Sequence, residues 1–159
     1  MTVKLAAITS PVVGDKLSAA DFITYCARVS NPSNQHNVLT SAKLLAYCIR
    51  HGHWSVFEQA SMTVEIQTSR AVSAQIIRHR SFCFQEFSQR YAFATGMEPI
   101  ELRTQDANNR QASGGVFEGK WASEIVADSV ALAFNVYREL VTQGVSRETA
   151  RMVLPLCTQ

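Results

Sequence analysis

The stretch Arg78-His79-Arg80-Ser81-Phe82-Cys83-Phe84-Gln85-Glu86-Phe87-Ser88-Gln89-Arg90-Tyr91 sets how the chain is read. With Gln75 just upstream it gathers guanidiniums, an imidazole, a carboxylate, a hydroxyl and an amide within sixteen residues. On a helix, Gln75, Arg78 and His79 sit at i, i+3 and i+4 and share a face. Arg78 and Arg80 would then diverge by about 200°. The polar groups converge only if the chain leaves the helix near Arg80 and runs extended through 83–91. An extended run puts Glu86, Ser88 and Arg90 on one face. Arginine forks match phosphate oxygens bidentately, so the set suits a nucleotide or a phosphate-bearing cofactor. On periodicity alone a second reading stays open, a solvated amphipathic strand after a basic helix end. The opposite face (Gln85, Phe87, Gln89, Tyr91) is not cleanly apolar, which counts against simple burial.

Working outward, residues 3–8 read as a strand, broken by Pro11 and Gly14. Ser18 and Asp21 form a capping-box-like start to a helix that buries Phe22, Ile23 and Cys26 and ends near Ser30. A loop at 31–35 precedes a second helix from about Val38 to Arg50. Its stripe is Leu44, Leu45, Cys48 and Ile49, and Gly52 closes it. Residues 61–67 alternate, with Met62, Val64 and Ile66 on the face expected to be buried. Ser69 to His79 reads as a helix. Residues 103–119, polar and Gly-rich, read as a long loop. A long helix from Trp121 to Thr142 carries Val126, Val130, Phe134, Tyr137 and Val141 on one face and stops at Gly144. A last helix starts at Ser146 and stops at Leu154-Pro155. Helices mixed with a few strands predict an α+β fold rather than a wound parallel sheet.

The 159 residues suit one domain. Apolar residues at 47% and charged residues at 18% describe an ordinary globular chain. A net charge of +2, from 15 basic and 13 acidic side chains, is too balanced to argue for nucleic acid by itself. No apolar run is long enough for a membrane span or signal peptide. The four cysteines form no C-x-x-C, so a reducing cytoplasm is expected.

The run from Arg78 to Arg90 resembles the signature of the flavin-dependent thymidylate synthases (the ThyX family). That signature is Arg-His-Arg, two residues, Ser, one residue, commonly Asn-Glu, one residue, Ser, one residue, Arg. Cys83 stands where the family has Ser, and Gln85 where Asn is common. Ala27-Arg28-Val29-Ser30, the His51-Gly52-His53 to Phe57-Glu58 segment and Ala150-Arg151 through Leu154-Pro155 also resemble family segments, in the family's order. The resemblance implies a single ThyX-like domain over 1–159, with a small, mostly antiparallel sheet and several helices. It implies FAD, with Ser30, His53, Ser55, Arg78, His79, Arg80, Ser81 and Glu86 matching its contacts. Gln75, Arg78, Glu86, Phe87, Ser88, Gln89, Arg90 and Arg151 match the dUMP site, and Arg151 matches the arginine on the nucleotide phosphate. The implied reaction is reductive methylation of dUMP to dTMP, with NADPH and methylenetetrahydrofolate as co-substrates. Family members are homotetramers with shared active sites.

The same resemblance leads us to expect a further C-terminal segment with a ring-polarising arginine beyond residue 159, and poor turnover of dUMP without it. The alternative is therefore an inactive fragment or split subunit that needs a C-terminal partner. Other readings carry less. His51, His53 and Cys48 lack the ligand number and spacing of a zinc site, and no metal is expected. Phe82, Phe84 and Phe87 beside arginines suit a single-stranded nucleic-acid platform, but no second basic strip supports one. Ser88 has no base at fixed spacing to make it a nucleophile, and Cys83 reads as a small packed residue.

Overall fold

A computed structural model of the chain describes residues 1–14 and 16–159. The chain divides into two compact units, Thr2–Ile66 and Gln67–Gln159, with Met1 counted in the second.

The first unit pairs strand β1 (Thr2–Ile8) with β2 (Met62–Gln67). Thr9 N–H donates to the Ser61 carbonyl at 2.9 Å, so the end of β1 meets the start of β2 and the strands run antiparallel. Helix α1 (Ala19–Ala27) starts as the sequence predicts. The Ser18 hydroxyl accepts from Asp21 N–H at 3.1 Å and donates to the Asp21 carboxylate at 2.6 Å. That hydroxyl bond holds the Asp21 carboxyl below its ordinary pKa. The helix stops short of Ser30 because Arg28 turns inward and is buried. Its guanidinium donates to the Asn37 carbonyl and, at 2.8 Å, to the Thr40 hydroxyl.

Phe22, Ile23 and Cys26 are only half-buried; Thr24 is the buried face of α1. Its hydroxyl meets that of Ser41 at 2.9 Å, which joins α1 to helix α2 (Ser41–Arg50). In the predicted α2 stripe Cys48 is buried, Leu44 and Leu45 are half-buried and Ile49 is exposed. Gly52, at φ 68°, ends α2 in a Schellman turn. His53 N–H donates to Cys48 and Gly52 N–H to Ile49 across it.

The alternation in β2 predicted a buried face, and here the structure differs. Met62, Val64 and Ile66 are 68%, 40% and 38% exposed, and β1 is exposed throughout. The strand forms where the alternation predicts, but no residue of it is buried, because a two-stranded ribbon offers no second layer within the unit to cover a face.

The second unit opens with helix α3 (Arg70–Ile76). Its first free N–H groups need acceptors, and the end of the chain supplies them. Arg70 N–H donates to the Thr158 carbonyl and Ala71 N–H to Leu156. Ser69 N–H donates to the Glu98 carboxylate at 2.8 Å, and the Thr68 hydroxyl reaches the same oxygen at 3.2 Å. The Met1 ammonium lies 2.8 Å from the other oxygen. The ammonium first, and then Ser69, hold the Glu98 pKa down from 4.5 to about 2. A depressed carboxyl pKa stabilises the fold above the unfolded value and loses that contribution as pH falls through the folded one. Glu98→Gln is therefore expected to lower the thermal midpoint at pH 7, and its gap from wild type should close between about pH 4.5 and pH 2. A gap that stays constant over that range would refute the role.

Residues 103–119 are not a structureless loop. Strands β3 (Arg103–Gln105) and β4 (Ser113–Val116) form an antiparallel hairpin, with Arg103 opposite Val116 and Gln105 opposite Ser113 across an irregular register. Side chains fasten it. The Arg103 guanidinium donates twice to the Gly114 carbonyl, at 3.0 and 2.8 Å. Asp106 accepts from the N–H groups of Asn109 and Asn108 at 2.8 and 2.9 Å, which keeps its carboxyl below the ordinary range.

Helix α4 (Lys120–Thr142) buries Phe134 and Tyr137, with Val126, Val130 and Val141 half-buried on the predicted stripe. Gly144, at φ 89°, closes it in a second Schellman turn, Val145 N–H to Leu140 and Gly144 N–H to Val141. Helix α5 (Arg147–Ala150) follows at once, capped by the Ser146 hydroxyl, and a 3-10 turn (Arg151–Val153) ends before Pro155. Ala94, Phe134, Tyr137, Ala150 and Leu154 form the core, flanked by Phe93, Val130, Leu140, Val141 and Val145. The α+β class is as the sequence predicts.

Candidate active site

The helix-to-coil switch falls earlier than the sequence predicts. α3 ends at Ile76, and Arg78 N–H and His79 N–H bond three residues back, to Gln75 and Ile76. In a turn of this kind positions three apart eclipse, so it keeps Arg78 in line with Gln75 and carries His79 off that face. The His79 ring stacks on Phe82 with centroids 4.2 Å apart and planes 16° from parallel. Ser81 N–H reaches His79 Nδ1 at 3.4 Å, and Phe84 meets Phe82 edge-on at 6.2 Å.

Residues 83–88 pair with no strand, and 89–91 form a turn, with Tyr91 N–H and Ala92 N–H both donating to the Ser88 carbonyl. The extended reading of 83–91 therefore fails at the turn, and no ladder enforces one face upstream of it. A different contact ties the segment down. The Ser73 hydroxyl of α3 donates to Glu86 Oε1 at 2.7 Å. Gln89 points inward and is 6% exposed. Its Nε2 reaches the Gln159 carbonyl at 3.5 Å, while its Oε1 is buried without a partner among the described residues.

Arg90 leaves the turn toward α5 and pairs with Glu148, Nη2 to Oε1 at 2.9 Å. Arg147 donates to the Tyr91 carbonyl at 2.5 Å, and Arg151 Nε to the Glu148 carbonyl at 3.3 Å. An open cavity of about 480 Å³ lies between these segments, lined by Ser88, Arg90, Tyr91, Ser146, Arg147 and Glu148. The fold thus brings Arg90 and Arg151, sixty-one positions apart, to the same glutamate. Sequence reasoning singled out Ser88, Arg90 and Arg151 and missed Tyr91, Arg147 and Glu148. Tyr91 closes the motif stretch on the face not assigned to the ligand, and the only sequence signal for Arg147 and Glu148 is the helix start at Ser146, which gives no hint of its distant neighbour.

Arg78, His79, Arg80 and Ser81 sit together on one exposed turn, and Gln75, Glu86 and Phe87 are also exposed. Among the described residues Arg78 and Arg80 have no ion-pair partner. Two free guanidinium forks beside an aromatic pair fit a cofactor with a pyrophosphate and a planar ring. Ser30, His53 and Ser55 belong to the first unit. All three are exposed, Ser30 just past α1 and His53 just past the Schellman turn. His53 packs near Tyr47 and His51, with centroids 5.8 and 6.1 Å away. Among the described residues no three His, Cys, Asp or Glu side chains converge as metal ligands, all four cysteines are free, and no helix is long and apolar enough to cross a membrane.

Known proteins resemble this chain over nearly its whole length. The family described as thymidylate synthase complementing protein matches residues 13–159. A probable flavin-dependent thymidylate synthase from Paramecium bursaria Chlorella virus 1 is 47% identical over 163 residues, covering 99% of this chain and 75% of the viral protein. The flavin-dependent thymidylate synthase of a Synechocystis strain is 45% identical over 164 residues, with the same shares. Among solved structures, a UMP/dUMP methylase from Streptomyces cacaoi bound with 5-Br dUMP superposes with a TM-score of 0.76 at 26% identity, covering 99% of this chain and 68% of that one. With the motif, the arginines around its turn and these likenesses together, the chain belongs to the thymidylate synthase complementing protein family, that of the flavin-dependent thymidylate synthases.

Proposed function

We propose that this chain catalyses the flavin-dependent methylation of dUMP to dTMP. The observation that carries the reading is the docking of the Ser88–Tyr91 turn on α5, which sets Arg90 and Arg147 in the lining of one open cavity, with Arg151 bonded to the main chain of Glu148 beside it. A phosphomonoester carries nearly two negative charges near neutral pH, and clustered guanidiniums are its natural counterpart. Ser88, with no hydrogen-bond partner for its hydroxyl among the described residues, adds a donor at the cavity edge. Glu86, held by Ser73, offers its second oxygen to a ribose hydroxyl. Gln75, Arg78, Phe87 and Gln89 complete the nucleotide side by their match to the family motif.

FAD is the flavin we assign, held by Arg78, His79, Arg80 and Ser81, with Ser30, His53, Ser55 and Glu86 as further contacts. When bound it supplies the reducing electrons; NADPH and methylenetetrahydrofolate are the co-substrates. The protein's part is orientation and charge. Cations fixed beside the pyrimidine stabilise charge building on the ring. Ser88 has no base bonded to it, so no covalent nucleophile is assigned.

The family match spans both compact units, which supports treating 1–159 as one functional domain. The exposed apolar face of β2 supports assembly with further copies, and we assign a homotetramer with shared active sites. Four free cysteines suit a cytoplasmic protein.

The test is direct. The purified chain is titrated with FAD, assayed for dTMP formation, and sized by light scattering. Flavin uptake with a tetrameric mass and dUMP-dependent but slow product formation is the expected result. A colourless protein that refuses FAD and binds oligonucleotide in a salt-dependent way would overturn the reading.

A further inference from the structure

We propose that Glu148 competes with the substrate's phosphate for Arg90 and so holds the affinity for the nucleotide below what the arginine alone would give. The inference rests on the assignment of Arg90 to the nucleotide phosphate. Arg90 and Arg147, which line this cavity, and Arg151 beside them each have an internal acceptor. Arg147 is held by the Tyr91 carbonyl and Arg151 by the Glu148 carbonyl, both main-chain atoms fixed by the turn and by α5. Arg90 alone is held by a side chain, the Glu148 carboxylate, at 2.9 Å.

That pair is built to be exchanged. Its side chains are 61% and 57% exposed, so water and salt screen the attraction. Glu148 also lines the open cavity, so it can swing into solvent without leaving a buried charge behind. Arg90 has five donors in a planar fork. One carboxylate oxygen engages one of its terminal nitrogens here. A phosphate dianion offers twice the charge and three oxygens, and can take both arms. A neutral nucleoside offers neither and leaves the pair closed. Glu148 thus acts as an occupant that the phosphate must displace, and the cost of parting it from Arg90 is subtracted from the phosphate's affinity. It is a positioning residue: it touches Arg90, and its carboxylate is gone from the site when the phosphate is in place.

The test measures equilibrium binding of dUMP, deoxyuridine and inorganic phosphate to the full chain and its variants by calorimetry. Removing the competitor in Glu148→Gln is expected to tighten dUMP and inorganic phosphate by about 2- to 5-fold, the range of an exposed ion pair, with deoxyuridine unchanged. Glu148→Ala removes the carboxylate by another route and must move in the same direction. Arg90→Ala is expected to weaken dUMP at least tenfold. A purely structural role for Glu148 would instead weaken all three ligands together. If Arg90→Ala weakens dUMP but both Glu148 variants leave it unchanged or weaker, the competition is refuted and the site assignment stands. If Arg90→Ala leaves dUMP binding intact, the assignment falls and the competition falls with it.

Discussion

Tyr137→Ala is expected to cost the second unit about 3–5 kcal/mol, the range for removing a large aromatic from a packed core. Tyr137 is 0% exposed, and its ring lies 4.9 Å from that of Phe93. Ala150 and Leu154 close the same cluster, so the cavity left behind is walled by two elements that follow α4 in the chain. The hydroxyl adds a second loss. It accepts from Ala94 N–H at 3.2 Å, and Ala94 is itself buried, so truncation strands a main-chain donor away from water. Tyr137→Phe isolates that term at about 1–3 kcal/mol. Against a total stability of about 5–15 kcal/mol for a domain, the alanine variant loses a large share. Urea unfolding followed by circular dichroism reads both. A Tyr137→Ala midpoint within error of wild type would mean that this cluster is not the core.

The second large effect concerns the flavin. Arg78→Ala is expected to weaken FAD by roughly 10- to 150-fold, the equivalent of about 1.5–3 kcal/mol for a hydrogen bond to a charged group. The fold should hardly notice, because Arg78 is exposed and has no ion-pair partner among the described residues. Unfolding of the flavin-free protein is expected to shift by no more than about 0.5 kcal/mol. Arg78→Lys should recover little, since an ammonium lacks the planar fork that grips two phosphate oxygens. Fluorescence quenching of added FAD gives the affinity. Undiminished binding in Arg78→Ala would remove the residue from the cofactor site.

What could be read in advance followed a physical rule. α4 was legible because Val126, Val130, Phe134, Tyr137 and Val141 recur at helical spacing and Gly144 marks the stop; burial and capping both follow. Ser18 with Asp21 was legible because a cap is a local device. The hairpin β3–β4 was not. Its strands are three and four residues long, one holds two glycines, and Arg103, Asp106 and Gln105 fasten it through bonds to the main chain. No apolar alternation announces such a pairing. Arg147 and Glu148 escaped for another reason. Arg147 meets Tyr91 across fifty-six positions of sequence, and spacing reports faces of one element, never which two elements meet. β2 failed in the opposite sense: the strand is where the alternation puts it, and the cover expected for its apolar face is absent from its own unit.

That uncovered ribbon has a consequence in mass action. A two-stranded antiparallel sheet is marginal alone in water, and β1–β2 keeps its apolar side chains in solvent. Association that covers this face binds the folded form and not the unfolded one, so it pulls the folding equilibrium with it. In the proposed tetramer the stability of the first unit would then become a property of concentration, high when copies are abundant and falling on dilution even at constant temperature and pH.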